Sequence, residues 1–319
     1  MSFIILTALP PFRYNHLMIA SIPSLRSWGL AIRPKTLPAA ASPVLVASAM
    51  AFADGHFRFG VAIVCLFVAL LLQIGSNLAN DVFDFEKGAD QGDRLGPTRV
   101  TQAGLLTTGE VKRGMWVVFG ITALLGLYLV FIGGWPFLVV GIGAIISAIA
   151  YTGGPYPLGY HGYGDIFVFV FFGLAATAGS YYLQASEIPM SVWGMATAQG
   201  FLTVAILVVN NLRDIDSDRK VNKKTLAVRF GEKGSRYQYS FLMLGAYLVP
   251  VILFSYGKIS PWGMLSMGSI PLALYWIVYI TRYSGKALNK ALEGTGQHEL
   301  VYAILFMVGM ILSVVTKQP

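Results

Sequence analysis

Charge is what this chain has least of. Lys, Arg, Asp and Glu make up 12% of its 319 residues, while 55% are hydrophobic; soluble domains carry about 25% charged residues. That balance excludes an ordinary soluble globule and identifies an integral membrane protein. Cysteine is reduced to Cys65, inside an apolar run, which excludes a disulfide framework and leaves a packing role. The histidines, His16, His56, His161 and His298, are too scattered for metal-ligand spacing. The N-terminus offers no basic flank followed by a long apolar run. Phe3 to Leu9 is short and closed by Pro10-Pro11, so neither a signal peptide nor an anchor is expected there. Residues 1–17 are therefore expected to be dispensable, with Met18 a candidate start and residues 1–21 a tail ahead of a single domain over 22–317.

The formal charge of +8 invites a nucleic-acid reading, but the cations sort by side of a membrane and not along a groove. With about 20 apolar residues per span as the ruler, about nine helices are expected, at 36–53, 58–81, 115–133, 136–151, 165–183, 192–211, 237–256, 261–281 and 298–316. A short interfacial helix is expected to precede them, over 22–32. If the N-terminus is cytoplasmic, every Lys and Arg except Arg58, Lys258 and Lys317 falls inside. The expected fold is thus an all-α membrane bundle, N-terminus in and C-terminus out, whose surroundings are a lipid bilayer and whose partners include no nucleic acid.

What charge there is collects at two helix ends. The stretch Asn77 to Arg99 closes the second apolar run, and if the helix continues through Asp84, then Asn77, Asn80, Asp81 and Asp84 share a face. A second cluster follows the sixth run, where Asn210, Asp214 and Asp218 are spaced by four, as in an internal repeat. A calcium loop starting at Asp214 is excluded: its sixth and twelfth positions hold Arg219 and Thr225 where Gly and Glu are required. Oxygen ligands without Cys or His suit a hard cation such as Mg2+, which binds through one or two carboxylates plus substrate phosphate. Two such ions between the clusters would hold a diphosphate, with Lys87, Arg94, Arg99, Arg213 and Lys224 close enough in sequence to neutralise it. Arg94 and Arg213 stand within the clusters; for most of the others positive-inside topology is a sufficient explanation. A solvated helix end is the competing reading of each cluster.

A diphosphate site at the mouth of a membrane cavity points to a lipid diphosphate. Between the fourth and fifth runs, Tyr151 to Asp165 carries four tyrosines among Gly and Pro. Such a loop is tight and irregular; its rings suit an allylic cation or an aromatic acceptor, with Tyr156 the leading candidate, and equally an interfacial belt.

These features resemble the UbiA superfamily of intramembrane prenyltransferases. Several stretches are similar to its branch acting on 1,4-dihydroxy-2-naphthoate in menaquinone biosynthesis: Arg33 to Pro38, Ser76 to Asp81, Lys87 to Asp90, Asp93 to Pro97, the Tyr/Gly loop, and Val209 to Asp214 continuing to Lys224 to Arg229. The resemblance implies a multi-pass protein of the bacterial plasma membrane that transfers a polyprenyl chain from a polyprenyl diphosphate to the aromatic acceptor, with loss of CO2. It implies Mg2+, two ions with Mn2+ as substitute, held by Asp81, Asp84, Asp214 and Asp218. Asn77, Asn80, Tyr151, Tyr156, Asn210 and Asn211 are the implied substrate contacts, and Lys87, Arg94, Arg213 and Lys224 the diphosphate contacts. The superfamily pattern N-D-x-x-D-x-x-x-D has an acid where this chain has Gly88, so Asp90 is the expected further ligand. A phytyl- or hydroxybenzoate-specific enzyme of the same superfamily is the nearer alternative. A secondary transporter is the more distant one, though transporters place coupling acids near the midplane. A phosphatidyl-alcohol transferase is excluded by the absence of D-G-x-x-A-R.

Overall fold

The computed structural model describes residues 24–88 and 95–316, so Asp90, Arg94 and the N-terminal segment up to residue 23 lie outside the described residues. Every regular element among the described residues is a helix. That follows from composition, because an apolar run in lipid must satisfy its backbone hydrogen bonds within itself.

Helix α1 (Leu25–Ile32) is capped by Ser24, whose hydroxyl accepts from the Ser27 amide at 3.2 Å. It ends at Arg33, held at φ 54°, and the Pro34–Thr36 turn bends the chain by 52° into α2 (Pro38–Ala53). Then follow α3 (Phe59–Glu86), α4 (Thr108–Gly133), α5 (Trp135–Ala150), α6 (Gly164–Ala185), α7 (Met190–Arg213), α8 (Leu226–Ser255), α9 (Pro261–Arg282) and α10 (Gly285–Val315). All nine expected stretches are helical, but the count of nine spans is not confirmed. Among the described residues, seven helices are long and apolar enough to cross a membrane, or up to eight if the bent pair of α1 and α2 forms one span. The reason is length: α2 and α5 have 16 residues each, short of the roughly 20 a span needs.

The main core lies where α2, α7, α8 and α10 meet, around Val46, Met195, Met243 and Phe306. Helix α6 joins it by close backbone approach: a Cβ on Gly173 would stand 2.5 Å from the Gly200 Cα of α7. Gly173 lies in a π-helical turn, Phe169–Ala175, a local widening frequently found at functional sites. A second cluster, Leu78, Val82, Val100, Leu106 and Phe119, packs the C-terminal half of α3 against α4 and the loop between them. That packing aims the end of α3 at the cavity.

Candidate active site

One cavity of about 370 Å³ runs through the bundle. Along α3 its wall extends from Cys65 to Asp84, which at 1.5 Å per residue is about 28 Å, nearly the hydrocarbon thickness of a bilayer. Most of the wall is apolar, with Val68, Leu72, Leu129, Phe137, Phe167, Phe171 and Phe172. Polar groups gather at one end: Arg33, Asn77, Asn80, Asp84, Arg99, Tyr151, Thr152, Asn210, Asn211, Arg213 and Lys223. Both sequence clusters therefore reach the same end of one tunnel.

Helix α3 does continue through Asp84, to Glu86. Asn77 holds the chain entering α2, its amide donating to Ile32 O and Thr36 Oγ1, both at 2.9 Å. Asn80 Oδ1 accepts from Thr152 Oγ1 at 3.0 Å. Asp84 faces the cavity, accepting from the Tyr160 hydroxyl at 3.0 Å and from Arg99 Nη2 at 2.6 Å. Asp81 is aimed elsewhere. Its carboxylate accepts from the Val100 amide at 3.1 Å, the Thr101 amide at 3.0 Å and the Thr101 hydroxyl, with Arg33 at 3.4 Å. This carboxylate is 1% exposed and pins the loop that delivers Arg99 to Asp84.

The second cluster is not a continuous helix. Helix α7 ends at Arg213, Asp214 breaks it, and a short helix resumes at Ile215–Lys220. The four-residue register survives the break, since the Asp218 amide donates to Asp214 O at 2.8 Å. Arg213 grips Asp214 with two bonds, of 2.8 and 2.5 Å, and also reaches Asn210 and Asn289. Asp218 pairs with Lys223 at 3.3 Å, and its buried Oδ2 has no hydrogen-bond partner. Burial pushes the Asp218 carboxyl up, with Asp214 and Asp84 adding to the effect. Burial works against the charge of Lys223, but Asp218, Asp84 and Asp214 outweigh it and raise its pKa. Asp216 points to solvent, 78% exposed.

The remaining expected residues divide. Tyr151, Asn210 and Asn211 line the cavity. Lys87 instead clamps the Tyr/Gly loop, donating to Thr152 O at 2.6 Å and Gly154 O at 3.1 Å. The Lys224 side chain is exposed; only its backbone amide takes part, donating to Tyr160 O at 2.8 Å. Tyr156 is 55% exposed, stacks on His161 at 3.6 Å and is not among the residues that line the cavity. Tyr160 holds the inner position, with Lys87 and Lys223 nitrogens 5.2 and 5.4 Å from its ring centre. Sequence reasoning left Tyr160 and Lys223 without roles and did not separate Arg33 or Arg99 from topological cations. Only the general signal of cations near acids was available for them. Tyr156→Ala should leave turnover within about twofold. Tyr160→Phe removes a hydrogen bond to a carboxylate, worth about 1.5–3 kcal/mol, and should cost tenfold or more in kcat/KM. A large effect at Tyr156 with none at Tyr160 would overturn this placement.

No three acidic, His or Cys side chains converge as a ready-made metal cage among the described residues. The donors nonetheless suit Mg2+, which keeps waters and takes its remaining ligands from substrate phosphate. Asp84 and Asn80 line the cavity; Asp218 does not, but it pairs with Lys223, which does, and its buried Oδ2 has no hydrogen-bond partner, so all three are oxygen donors of the kind such an ion takes.

Comparison with known proteins gives a consistent result. The model of the UbiA prenyltransferase family matches residues 40–293. The 1,4-dihydroxy-2-naphthoate octaprenyltransferase of Escherichia coli (strain K12) is 42% identical over 299 residues, covering 90% of this chain and 96% of that protein. Its counterpart in Mycobacterium tuberculosis (strain ATCC 25618 / H37Rv) is 36% identical over 282 residues, covering 88% and 95%. Among solved structures, a UbiA homolog from Aeropyrum pernix K1 superposes with a TM-score of 0.66 at 12% identity, covering 87% of this chain and 98% of that one. A UbiA homolog from Archaeoglobus fulgidus bound to DMAPP and Mg2+ gives 0.63 at 14% identity, covering 90% and 99%.

Proposed function

This chain belongs to the UbiA prenyltransferase family, and on that premise we propose that it transfers a polyprenyl chain from a polyprenyl diphosphate to 1,4-dihydroxy-2-naphthoate. The observation that carries the reading is the join of a long apolar tunnel to a polar end holding Asn80, Asp84, Arg99, Asn210, Asn211 and Lys223. A prenyl tail fits the first and a diphosphate the second. Relatives named for this reaction, matched over nearly their whole length, support the acceptor.

Arg33, Arg99 and Lys223 bring positive charge to the diphosphate oxygens, and Tyr151 and Thr152 wall the polar end. The allylic C–O bond breaks with its electron pair leaving on the diphosphate. The electron-rich naphthoate ring supplies the pair for the new C–C bond, and loss of the carboxylate as CO2 returns a pair to the ring. The product is the prenylated naphthoquinol, the reduced form of demethylmenaquinone. The apolar wall of Phe167, Phe171 and Phe172 keeps water from the allylic cation. Asp84, Asp218 and Asn80 would hold Mg2+, with Asp81 and Asp214 fixing the groups around them; two clusters suggest two ions, with Mn2+ as substitute. When bound, the metal supplies Lewis-acid neutralisation of the leaving group.

The test is an acceptor panel. Purified protein with prenyl diphosphates of several lengths should prenylate dihydroxynaphthoate in strong preference to 4-hydroxybenzoate. Preference for the benzoate would reassign the acceptor, and no product with either would overturn the reading.

The same reading puts the polar end in the cytoplasm of a bacterium, with the N-terminus inside. Cysteines introduced at Gly88 and Asn222, with native Cys65 buried, should both be labelled by a membrane-impermeant thiol reagent only after access to the cytoplasmic face. Labelling of either from outside would reverse the orientation.

A further inference from the structure

A second polar group lies deeper in the bundle. Glu299 on α10 is 0% exposed, and its Oε1 stands 2.7 Å from the Thr203 hydroxyl of α7. The same hydroxyl is 3.0 Å from the main-chain oxygen of Gln199, one turn earlier. A threonine carries one hydroxyl proton, so it cannot serve both acceptors at once. Glu299 Oε2 and both polar atoms of the Gln199 amide are also buried without a hydrogen-bond partner, and Gln199 is 0% exposed.

Hydrogen bonding between helices accounts for other polar pairs on this face of α10. Tyr239 pairs with Thr295 at 2.9 Å, and the Tyr247 hydroxyl with Ser269 and His298, each at 2.6 Å. Glue of that kind explains one oxygen of Glu299 and leaves the other, together with the whole Gln199 amide, unserved. In a membrane interior such groups are costly and mark functional positions. Thr203 also forms part of the reaction-cavity wall. It is seven residues from Asn210 on α7, about 10 Å further along the helix from the diphosphate end.

We propose that Gln199, Thr203 and Glu299 form a site for a hydroxylic ligand, either a hydroxyl of the aromatic acceptor or an ordered water. The Gln199 amide alone leaves both a donor and an acceptor unserved, so the ligand must accept and donate, as a hydroxyl does with one oxygen. A carboxylate or phosphate accepts only and leaves the Gln199 carbonyl oxygen unserved; an ammonium donates only and leaves the Gln199 N–H groups unserved. The acceptor form rests on the function proposed above, and the water form does not.

The experiment is infrared difference spectroscopy on the full chain in lipid nanodiscs, with the Glu299 carboxyl band assigned by its loss in Glu299→Gln. Adding dihydroxynaphthoate should shift this band if the acceptor hydroxyl is the ligand, and Thr203→Val should then raise acceptor KM at least tenfold with prenyl diphosphate KM unchanged. If the ligand is water, the band should not respond to the acceptor, acceptor KM should stay within twofold in Thr203→Val, and a water O–H stretching band that moves on transfer to oxygen-18 water should be lost in Glu299→Gln. A Glu299 band unmoved by the acceptor, with no such water band, overturns the proposal. Wild-type turnover in the same preparation keeps the two readings apart: an inactive protein overturns the function, and an unmoved Glu299 band with no water band in an active one overturns only this site.

Discussion

Asp84→Asn is expected to lower kcat by at least 100-fold while leaving helix content unchanged. Asp84 is the first-cluster carboxylate that lines the cavity, between the Tyr160 hydroxyl and the Arg99 guanidinium. Asparagine keeps the side-chain volume and removes the charge that a divalent ion would bind. Loss of one charge-stabilising donor at an oxyanion site costs roughly 2.7–4 kcal/mol, about 100- to 1,000-fold, and a metal ligand should cost no less. Asp218→Asn should behave alike, because its buried Oδ2 is the oxygen left open for a cation. Asp216→Asn is the control: that side chain is 78% exposed and, among the described residues, pairs with surface Arg219, so turnover should stay within about twofold. Rates and circular dichroism on the three variants check the set, and near-wild-type turnover by Asp84→Asn would remove the carboxylate from the mechanism.

Arg99→Ala should damage stability and activity together. Its ion pair with Asp84, at 2.6 Å, is buried on both sides, with side chains 8% and 5% exposed. Removing one partner of a buried pair leaves the other charge uncompensated, at about 3–5 kcal/mol. The variant should therefore melt well below wild type in the absence of ligands, and bind inorganic diphosphate weakly because the cavity has lost a cation. Adding Mg2+ should narrow the melting difference, since a divalent ion at Asp84 replaces the missing charge. Melting curves and diphosphate titrations, each with and without Mg2+, measure both effects. Unchanged Tm and unchanged diphosphate affinity would show that Arg99 only packs there.

Much of this was legible in the sequence, and the missing part has a physical cause. Apolar runs near the length of a bilayer crossing gave the helices, and four-residue spacing put Asn77, Asn80, Asp81 and Asp84 on one helical face. What the spacing does not decide is which acid on that face meets the cavity. Asp81 and Asp84 are three residues apart, and Asp81 is drawn away by amides at Val100 and Thr101, some twenty positions later in the chain. Lys223 and Lys224 pose the same problem at neighbouring positions. The Lys224 amide donates to Tyr160 O, which docks this loop on the Tyr/Gly loop and leaves the Lys223 side chain facing inward. Gly162 makes the docking possible: it sits at φ +82°, and a Cβ there would lie 2.7 Å from Lys224 O. That contact accompanies an exposed Tyr156 and a Tyr160 whose hydroxyl reaches Asp84, an arrangement periodicity cannot register.

The most direct measurement of the central claim follows carboxyl-labelled dihydroxynaphthoate and a polyprenyl diphosphate through one reaction, with purified protein in lipid, in Mg2+ and in EDTA. With Mg2+, prenylated product, CO2 and diphosphate should appear in equal amounts; with EDTA, none should appear, and Mg2+ should restore all three. Product formed at the same rate in EDTA would contradict a metal-assisted departure of diphosphate at Asp84 and Asp218.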